Sequence, residues 1–280
     1  MDNLKAKKRH PEEIAVYSAI YVCAAFSVLL LLGIIIYVFA KGARRVNWAF
    51  LTGVTSILHG TVGIAGNILN TLIIILLTMI ITTPIGVGAA IYLNEYAKPG
   101  KLVTVIIFAT ETLAGIPSII FGLFGMLFFG QLCHMGYSLL TGSLTLTLMV
   151  LPLVTRNTQE ALKTVPDSFR TGAVGLGAGK WYTIRTILLP SAMPGIVTGV
   201  ILAIGRIIGE SAALLFTAGS AHLLPKTFDA FLEKIFHSGG TLTIQLYLSA
   251  SKGEFEVAFG IAVVPVSYTH LRAHETELHL

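Results

Sequence analysis

The hydrophobic positions of this chain fall into long blocks, without the short alternations of a soluble domain. Residues 14–40 form a run of 27 without Asp, Glu, Lys or Arg, residues 46–94 one of 49, and residues 112–155 one of 44. A helix needs about 20 residues to cross a bilayer core, so the longer runs hold a span plus loops. The pattern predicts spans at 14–40, 68–93, 103–129, 138–155 and 191–215, and a sixth apolar start at 257–266. A loop at 41–66 follows the first span, and a mixed segment at 217–256 precedes the sixth. The polar stretch 156–189 is the longest break between spans. Proline and glycine recur inside the spans, as at Pro84, Gly86, Gly115, Pro117, Pro194 and Gly199. They allow close helix packing and kinks.

Composition agrees with this picture. The chain is 54% hydrophobic and 12% charged, with a mean hydropathy of +0.80, where a soluble domain carries about 25% charged residues. The class is therefore all-α and polytopic in the membrane. The run at 14–40 exceeds the roughly 7–15 apolar residues of a cleavable signal and reads as a retained anchor. The net charge of +5 reflects basic residues beside the spans, and no nucleic-acid partner is expected. With residues 1–13 inside, the inside segments hold 11 Lys and Arg against 6 outside. This places the N-terminal tail, Lys5, Lys7, Lys8 and Arg9 included, and the segment 156–189 in the cytoplasm, and the loop 41–66 outside. Cys23 and Cys133 form no metal or disulfide pattern.

The stretch Gly172-Ala-Val-Gly-Leu-Gly-Ala-Gly-Lys-Trp181 has the look of a phosphate loop but fails its spacing. In a Walker A loop ending at Gly179-Lys180, the first glycine position is Val174 and the Ser/Thr position is Trp181. A dinucleotide fingerprint begun at Gly175 or Gly177 ends on Lys180 or Tyr182. The neighbours predict two helices around a turn. Pro166 precedes Asp167 and Ser168, two candidate N-caps, and a short helix runs to Leu176. Gly177–Gly179 turns the chain. A second helix carries Trp181, Ile184 and Leu188 on one face and ends at Leu189-Pro190, rigidly joined to the fifth span.

Gly177, nine residues, then Ile187-x-Leu189-Pro190 resembles the second half of the Glu-Ala-Ala signature of bacterial ABC importer permeases. The Glu-Ala-Ala slot falls on Thr171-Gly172-Ala173, which keeps only the final alanine. The resemblance implies the type I ABC importer transmembrane fold, six spans with the last truncated here. It also implies that Thr171, Gly172, Ala173, Gly177, Gly179, Ile187, Leu189 and Pro190 belong to a coupling segment docking on a separate ATPase. Residues 84–97, 111–125 and 201–219 resemble the phosphate branch, PstA-type. A PstC-type permease, or one for another oxyanion, is the alternative. The family implies a bacterial inner-membrane location, a second permease of PstC type, an ATPase dimer of PstB type holding ATP and magnesium, and an extracytoplasmic phosphate-binding protein of PstS type. The chain itself is expected to bind no cofactor or metal and to hold no catalytic residue.

Within the spans, ionisable residues are costly and point to function. Arg206 lies inside the fifth span, with Glu210 four residues on and so on the same helical face. A guanidinium fork suits phosphate oxygens. The sequence leaves two roles for Arg206: contact with phosphate in the path, with Glu210 setting its pose, or a structural ion pair between helices. Glu111 in the third span is a further candidate, and Glu95 reads as interfacial. The tail 266–280 breaks the sixth span after about ten apolar residues and reads as non-native. Its His270, His274 and His279 are expected to carry no function, and the near match to His-Glu-x-x-His has one residue too many.

Overall fold

The computed structural model describes residues 11–56, 61–98, 100–225 and 227–277. The basic cluster Lys5, Lys7, Lys8 and Arg9, and the last three residues of the tail with His279, lie outside them. The first span is α1 (Pro11–Gly42), which packs mainly on α13 (Phe255–Glu277), with Gly42 against the Phe259 backbone and the Tyr37 and Phe259 rings 5.6 Å apart. The loop after α1 is partly ordered by a short helix α2 (Trp48–Thr52), N-capped by Asn47, and an antiparallel pair β1 (Val54–Ser56) and β2 (Thr61–Ile64). This small ribbon is a local exception in an otherwise helical fold.

Three long helices form the centre. α3 (Ala65–Ile91) continues through a π-helical turn at Tyr92–Tyr96. α6 (Leu139–Thr164) is the most buried span. Its many Ser and Thr residues do not disrupt it, because their hydroxyls donate to carbonyls one turn back: Ser143 to Leu139, Thr145 to Thr141, Thr147 to Ser143, all at 2.8–2.9 Å. α8 (Lys180–Thr183), a π-helical turn (Ile184–Leu188) and α9 (Leu189–Gly209) form one helix of 30 residues. Glycines bring the three together: a Cβ on Gly86 of α3 would meet Val154 of α6 at 2.9 Å, and one on Gly199 of α9 would meet Asn157 of α6 at 2.7 Å.

Several predicted boundaries move. The fourth span runs on to Thr164. The helix from Lys180 does not end at Leu189-Pro190, because the wider π turn just before Pro190 gives the ring room against the preceding turn. The third span is two helices, α4 (Lys101–Gly115) and α5 (Ser118–Gly125, extended by a π stretch Met126–Leu132), bent by 103°. Pro117 causes the break, since the residue before a proline is driven out of the helical region and Ile116 is extended with ψ 131°. The fifth span stops at Gly209 and resumes as α10 (Ala212–Thr217). Among the described residues, four helices are long and apolar enough to cross a membrane, and the bent α4–α5 pair makes a fifth. α13 has a shorter apolar part, Phe255–Ser267.

At one end of the bundle, residues 217–225 and 227–242 lie as a strap across the starts of α3 and α6. Asn67 and Asn70, fully buried, donate to the carbonyls of Gly240 and Ala221 at 2.9–3.0 Å, and Thr71 Oγ1 accepts from Leu242 N. The otherwise unpaired N–H groups at the start of α6 donate to the strap, Leu139 to His237 and Leu140 to Ile235. The strap includes α11 (Phe228–Lys234), where burial lowers the pKa of the Lys234 amine and its Nζ donates to the Leu223 carbonyl. α12 (Leu242–Ser251) follows.

The two broken spans meet at Gly122 of α5, whose missing side chain lets Ala213 of α10 approach: a Cβ there would lie 2.8 Å from the Ala213 Cα. Gly122→Val is expected to cost about 1–3 kcal/mol through overpacking, read as a lower melting temperature in detergent. Gly172→Val, on an open surface, should shift melting much less.

Candidate functional site

Two groups of residues carry the chemistry. The first lies on an open face of the spans. Arg206 stands fifteen residues into the apolar run that starts at Ser191. It is solvent-accessible and makes no hydrogen bond or ion pair with any described residue. Glu210 does not share its face. The helix has ended, Glu210 is extended (ψ 124°), and its Oε1 accepts from Ala213 N at 3.0 Å while its carbonyl accepts from Thr243 Oγ1 at 2.7 Å. A break inside a span frees backbone N–H groups that lipid cannot satisfy, and this carboxylate caps the restart. Glu210 is therefore spent on α10, and the expected Arg206–Glu210 pairing is absent from the structure.

Glu111 pairs instead with Arg156, a residue the sequence reading placed only as the start of a polar loop. Arg156 Nη2 is 2.8 Å from Glu111 Oε1, and both side chains are about half exposed, 52% and 54%. Helix periodicity relates this pair to Arg206. Gly199 and Gly195 of α9 face Asn157 and Ala161 of α6, so the two helices run antiparallel. Arg206, seven residues past Gly199, returns to within about 20° of the same face. It stands about 9 Å nearer the strap end than Arg156. Charges at this depth are not left facing hydrocarbon, so water or another chain covers Arg206 and the exposed Arg156–Glu111 pair.

The second group sits at the opposite end, where α7 (Asp167–Gly175) and α8 form an elbow. The turn is a Schellman motif: Gly177 N donates to Val174 O (2.9 Å) and Ala178 N to Ala173 O (3.0 Å), with Gly177 at φ +83°. Gly177 alone in the glycine stretch needs glycine for its conformation; Gly172, Gly175 and Gly179 have ordinary φ and open space. Neither candidate N-cap caps α7. Asp167 is its first residue, and it pairs with Arg170 at 3.0 Å. Thr171, in the glutamate slot, is exposed and donates to carbonyls at the start of α7, while Ala173 is buried. Ile184 and Leu188 are buried against Leu162, Val165 and Ile196, with Val87, Ile91 and Leu189 packed on them. Trp181 is not on that face. It is 60% exposed, together with Phe169, Val174, Leu176 and Tyr182. Ile187 and Leu189 are half-buried and Pro190 is exposed, so these three belong to the flank of the helix and not to the turn.

Arg170 holds the elbow to the bundle. Its Nε and Nη2 donate to Glu95 Oε1 at 3.3 and 2.9 Å, its Nη2 also to Leu162 O, and its Nη1 to Val165 O, both at 3.0 Å. Asn94 Nδ2 donates to the same Glu95 oxygen at 2.8 Å. Glu95, at the end of the second span, is held by these contacts with its side chain only 9% exposed. Lys180 adds a contact, its Nζ 4.7 Å from the centre of the Tyr96 ring. The sequence shows Arg170 and Glu95 as charges 75 residues apart, and nothing in their spacing pairs them.

Broken spans, an accessible charged face at membrane depth and an apolar elbow define a multi-pass helical membrane protein built around polar contacts. Residues 82–250 match the family model of the binding-protein-dependent transport system inner membrane component, and the chain belongs to that family of inner-membrane permeases. It is similar to the "Probable ABC transporter permease protein YqgI" of Bacillus subtilis (strain 168), 37% identical over 246 residues, which are 86% of this chain and 84% of that protein. It is also similar to the "Phosphate transport system permease protein PstA homolog" of Mycoplasma pneumoniae, 35% identical over 255 residues, 88% of this chain but 38% of that longer protein. Among solved structures, the inward-facing MetNI methionine ABC transporter matches with a TM-score of 0.57 at 21% identity, over 77% of this chain and 91% of that one. This likeness concerns the fold alone.

In the subunit expressed alone, where no other chain covers these charges, water is expected to reach them. In a protein with Cys23 and Cys133, both free and exposed, replaced by serine, Glu111→Cys and Arg206→Cys are expected to react with a charged, membrane-impermeant thiol reagent in opened vesicles. Leu29→Cys, exposed on α1, should face lipid and not react. Protection of position 206 in the isolated subunit would show that the face is not wet.

Proposed function

We propose that this chain is a PstA-type permease subunit of an ATP-driven phosphate importer, forming part of the translocation path. The observation that carries this reading is Arg206, an accessible guanidinium inside an apolar span with no partner among the described residues. A free planar fork of donors suits an oxyanion, and a charge of this kind inside a span marks a solute pathway. The likeness to a relative named for phosphate transport supports phosphate as the ion. Glu111, paired to Arg156, lines the same path, while Glu210 shapes it by holding the restart of α10.

The elbow supports the rest of the reading. Its exposed Phe169, Val174, Leu176, Trp181 and Tyr182 form an apolar surface suited to a groove on a separate ATPase. That partner holds the ATP and magnesium; this chain binds neither and hydrolyses nothing. A second permease of PstC type covers the open face, and a phosphate-binding protein of PstS type delivers the ion on the strap side, which is extracytoplasmic when the N-terminus is cytoplasmic.

Arg206→Ala is expected to abolish phosphate uptake in cells that depend on this system, while the ATPase still co-purifies with the subunit. Wild-type uptake would sink the reading. Gly177→Val forces a β-branched residue into left-handed backbone at a cost of about 1–2 kcal/mol in the docking turn. Uptake should fall while hydrolysis by the assembled complex persists; uptake and hydrolysis that both stay at wild-type levels would count against docking at this turn.

A further inference from the structure

We infer that the Glu95–Arg170 pair is a positioning device that makes the elbow move as one body with the ends of α3 and α6. The inference rests on the reading of the elbow as the ATPase-docking element. Chain connectivity alone ties the elbow rigidly to one span only, α9, through the unbroken helix from Lys180 to Gly209. On its other side, α7 joins α6 through Val165 and Pro166, both extended (ψ 123° and 139°). Such a joint bends more easily than a helix. α3 has no direct covalent connection to the elbow. The apolar core around Ile184 and Leu188 and the Lys180–Tyr96 contact tie the α8 side of the elbow to α6 and α3, but α7 would still swing about Val165-Pro166 without a further link.

Arg170 closes this joint. One guanidinium grips Glu95 at the end of α3, the Leu162 and Val165 carbonyls at the end of α6, and Asp167 at the start of its own helix. The Leu162 carbonyl is among those that the last turn of a helix leaves without intrahelical partners. Glu95 Oε1 in turn takes three donor contacts, two from Arg170 and one from Asn94. Its low exposure keeps the pair from being screened as a surface pair would be. The linkage reaches the charged face because α3 and α6 are in contact at Gly86 and Val154, two residues before Arg156. Displacement of the elbow is thereby carried to the level of the Arg156–Glu111 pair. Arg170 and Glu95 touch no substrate in this scheme.

The test uses the complete transporter in proteoliposomes, with ATP hydrolysis, phosphate uptake and retained ATPase measured on the same preparation. E95Q and R170Q are expected to keep the ATPase bound and hydrolysing, while the ATP consumed per phosphate rises about tenfold, within the range of ordinary coupling free energies. The double variant should be no worse than either single one, as for two groups acting as a unit. R170K, which keeps the charge but lacks the fork that spans both helices, gives a second arm if a neutral variant fails to accumulate. It should also raise the ATP cost of each phosphate, by about threefold or more. An unchanged ratio in variants that assemble, additive losses in the double variant, or loss of the ATPase in proportion to uptake would overturn the inference. Failure of the wild-type complex to retain the ATPase or to take up phosphate would instead overturn the docking and phosphate readings themselves.

Discussion

Lipid offers no hydrogen-bond partner, and this one constraint accounts for most of the local structure. A polar group within the spans must be satisfied by the protein or face water. The hydroxyls of α6 return to their own helix, so a span rich in Ser and Thr remains helical and becomes the most buried one. Each interruption is handled where it occurs. The fifth span breaks at Glu210 because that residue can cap the helix that follows. The third breaks at Ile116-Pro117, where proline has no N–H to leave unpaired. The starts of α3 and α6 are closed by the strap. Among the groups left over are the buried Thr82 Oγ1, which has no hydrogen-bond partner, Arg206, which has no partner among the described residues, and the Arg156–Glu111 pair, which is half exposed.

Much of this was legible in the sequence. The uncharged runs located the spans, since hydropathy over about 20 residues responds to the bilayer and not to details of packing. The turn at Gly177 was legible because left-handed backbone strongly selects glycine. Two kinds of feature were hidden. One was helix continuity: Pro190 read as a stop because its effect depends on whether the preceding turn can widen, which a local pattern does not reveal. The other was partnership. Periodicity put Glu210 beside Arg206 on the assumption of an unbroken helix, and the break at Gly209 removed that assumption. Glu111–Arg156 and Glu95–Arg170 join residues from different helices, so neither follows from spacing along one of them. Trp181 shared a helical period with Ile184 and Leu188, yet it lies on the exposed elbow beyond the end of the small core they form.

The structure separates two tasks that the sequence runs together between 156 and 189. Residues to Thr164 complete a span and present Arg156 to the open face. Residues from Asp167 to Tyr182 build the elbow. Between them, two extended residues and one arginine decide whether these parts act together. The glycines contribute differently in each region: Gly86, Gly195 and Gly199 admit a neighbouring helix, Gly177 admits a backbone conformation, and Gly172, Gly175 and Gly179 do neither.

The π-helical turn at Ile184–Leu188 has a consequence for how related sequences should be aligned. A π turn holds one residue more than the α turn it replaces. Everything beyond it, Arg206 included, is rotated by about 100° relative to the elbow compared with a continuous α-helix. A relative with one residue fewer here and a plain α turn would therefore aim the arginine at the same neighbour, whereas one with the same count and a plain α turn would aim it elsewhere. Residue count between Gly177 and Arg206 has to be read together with the type of turn it passes through. Two chains that differ in it by one can be equivalent at the path, and two that agree in it can differ.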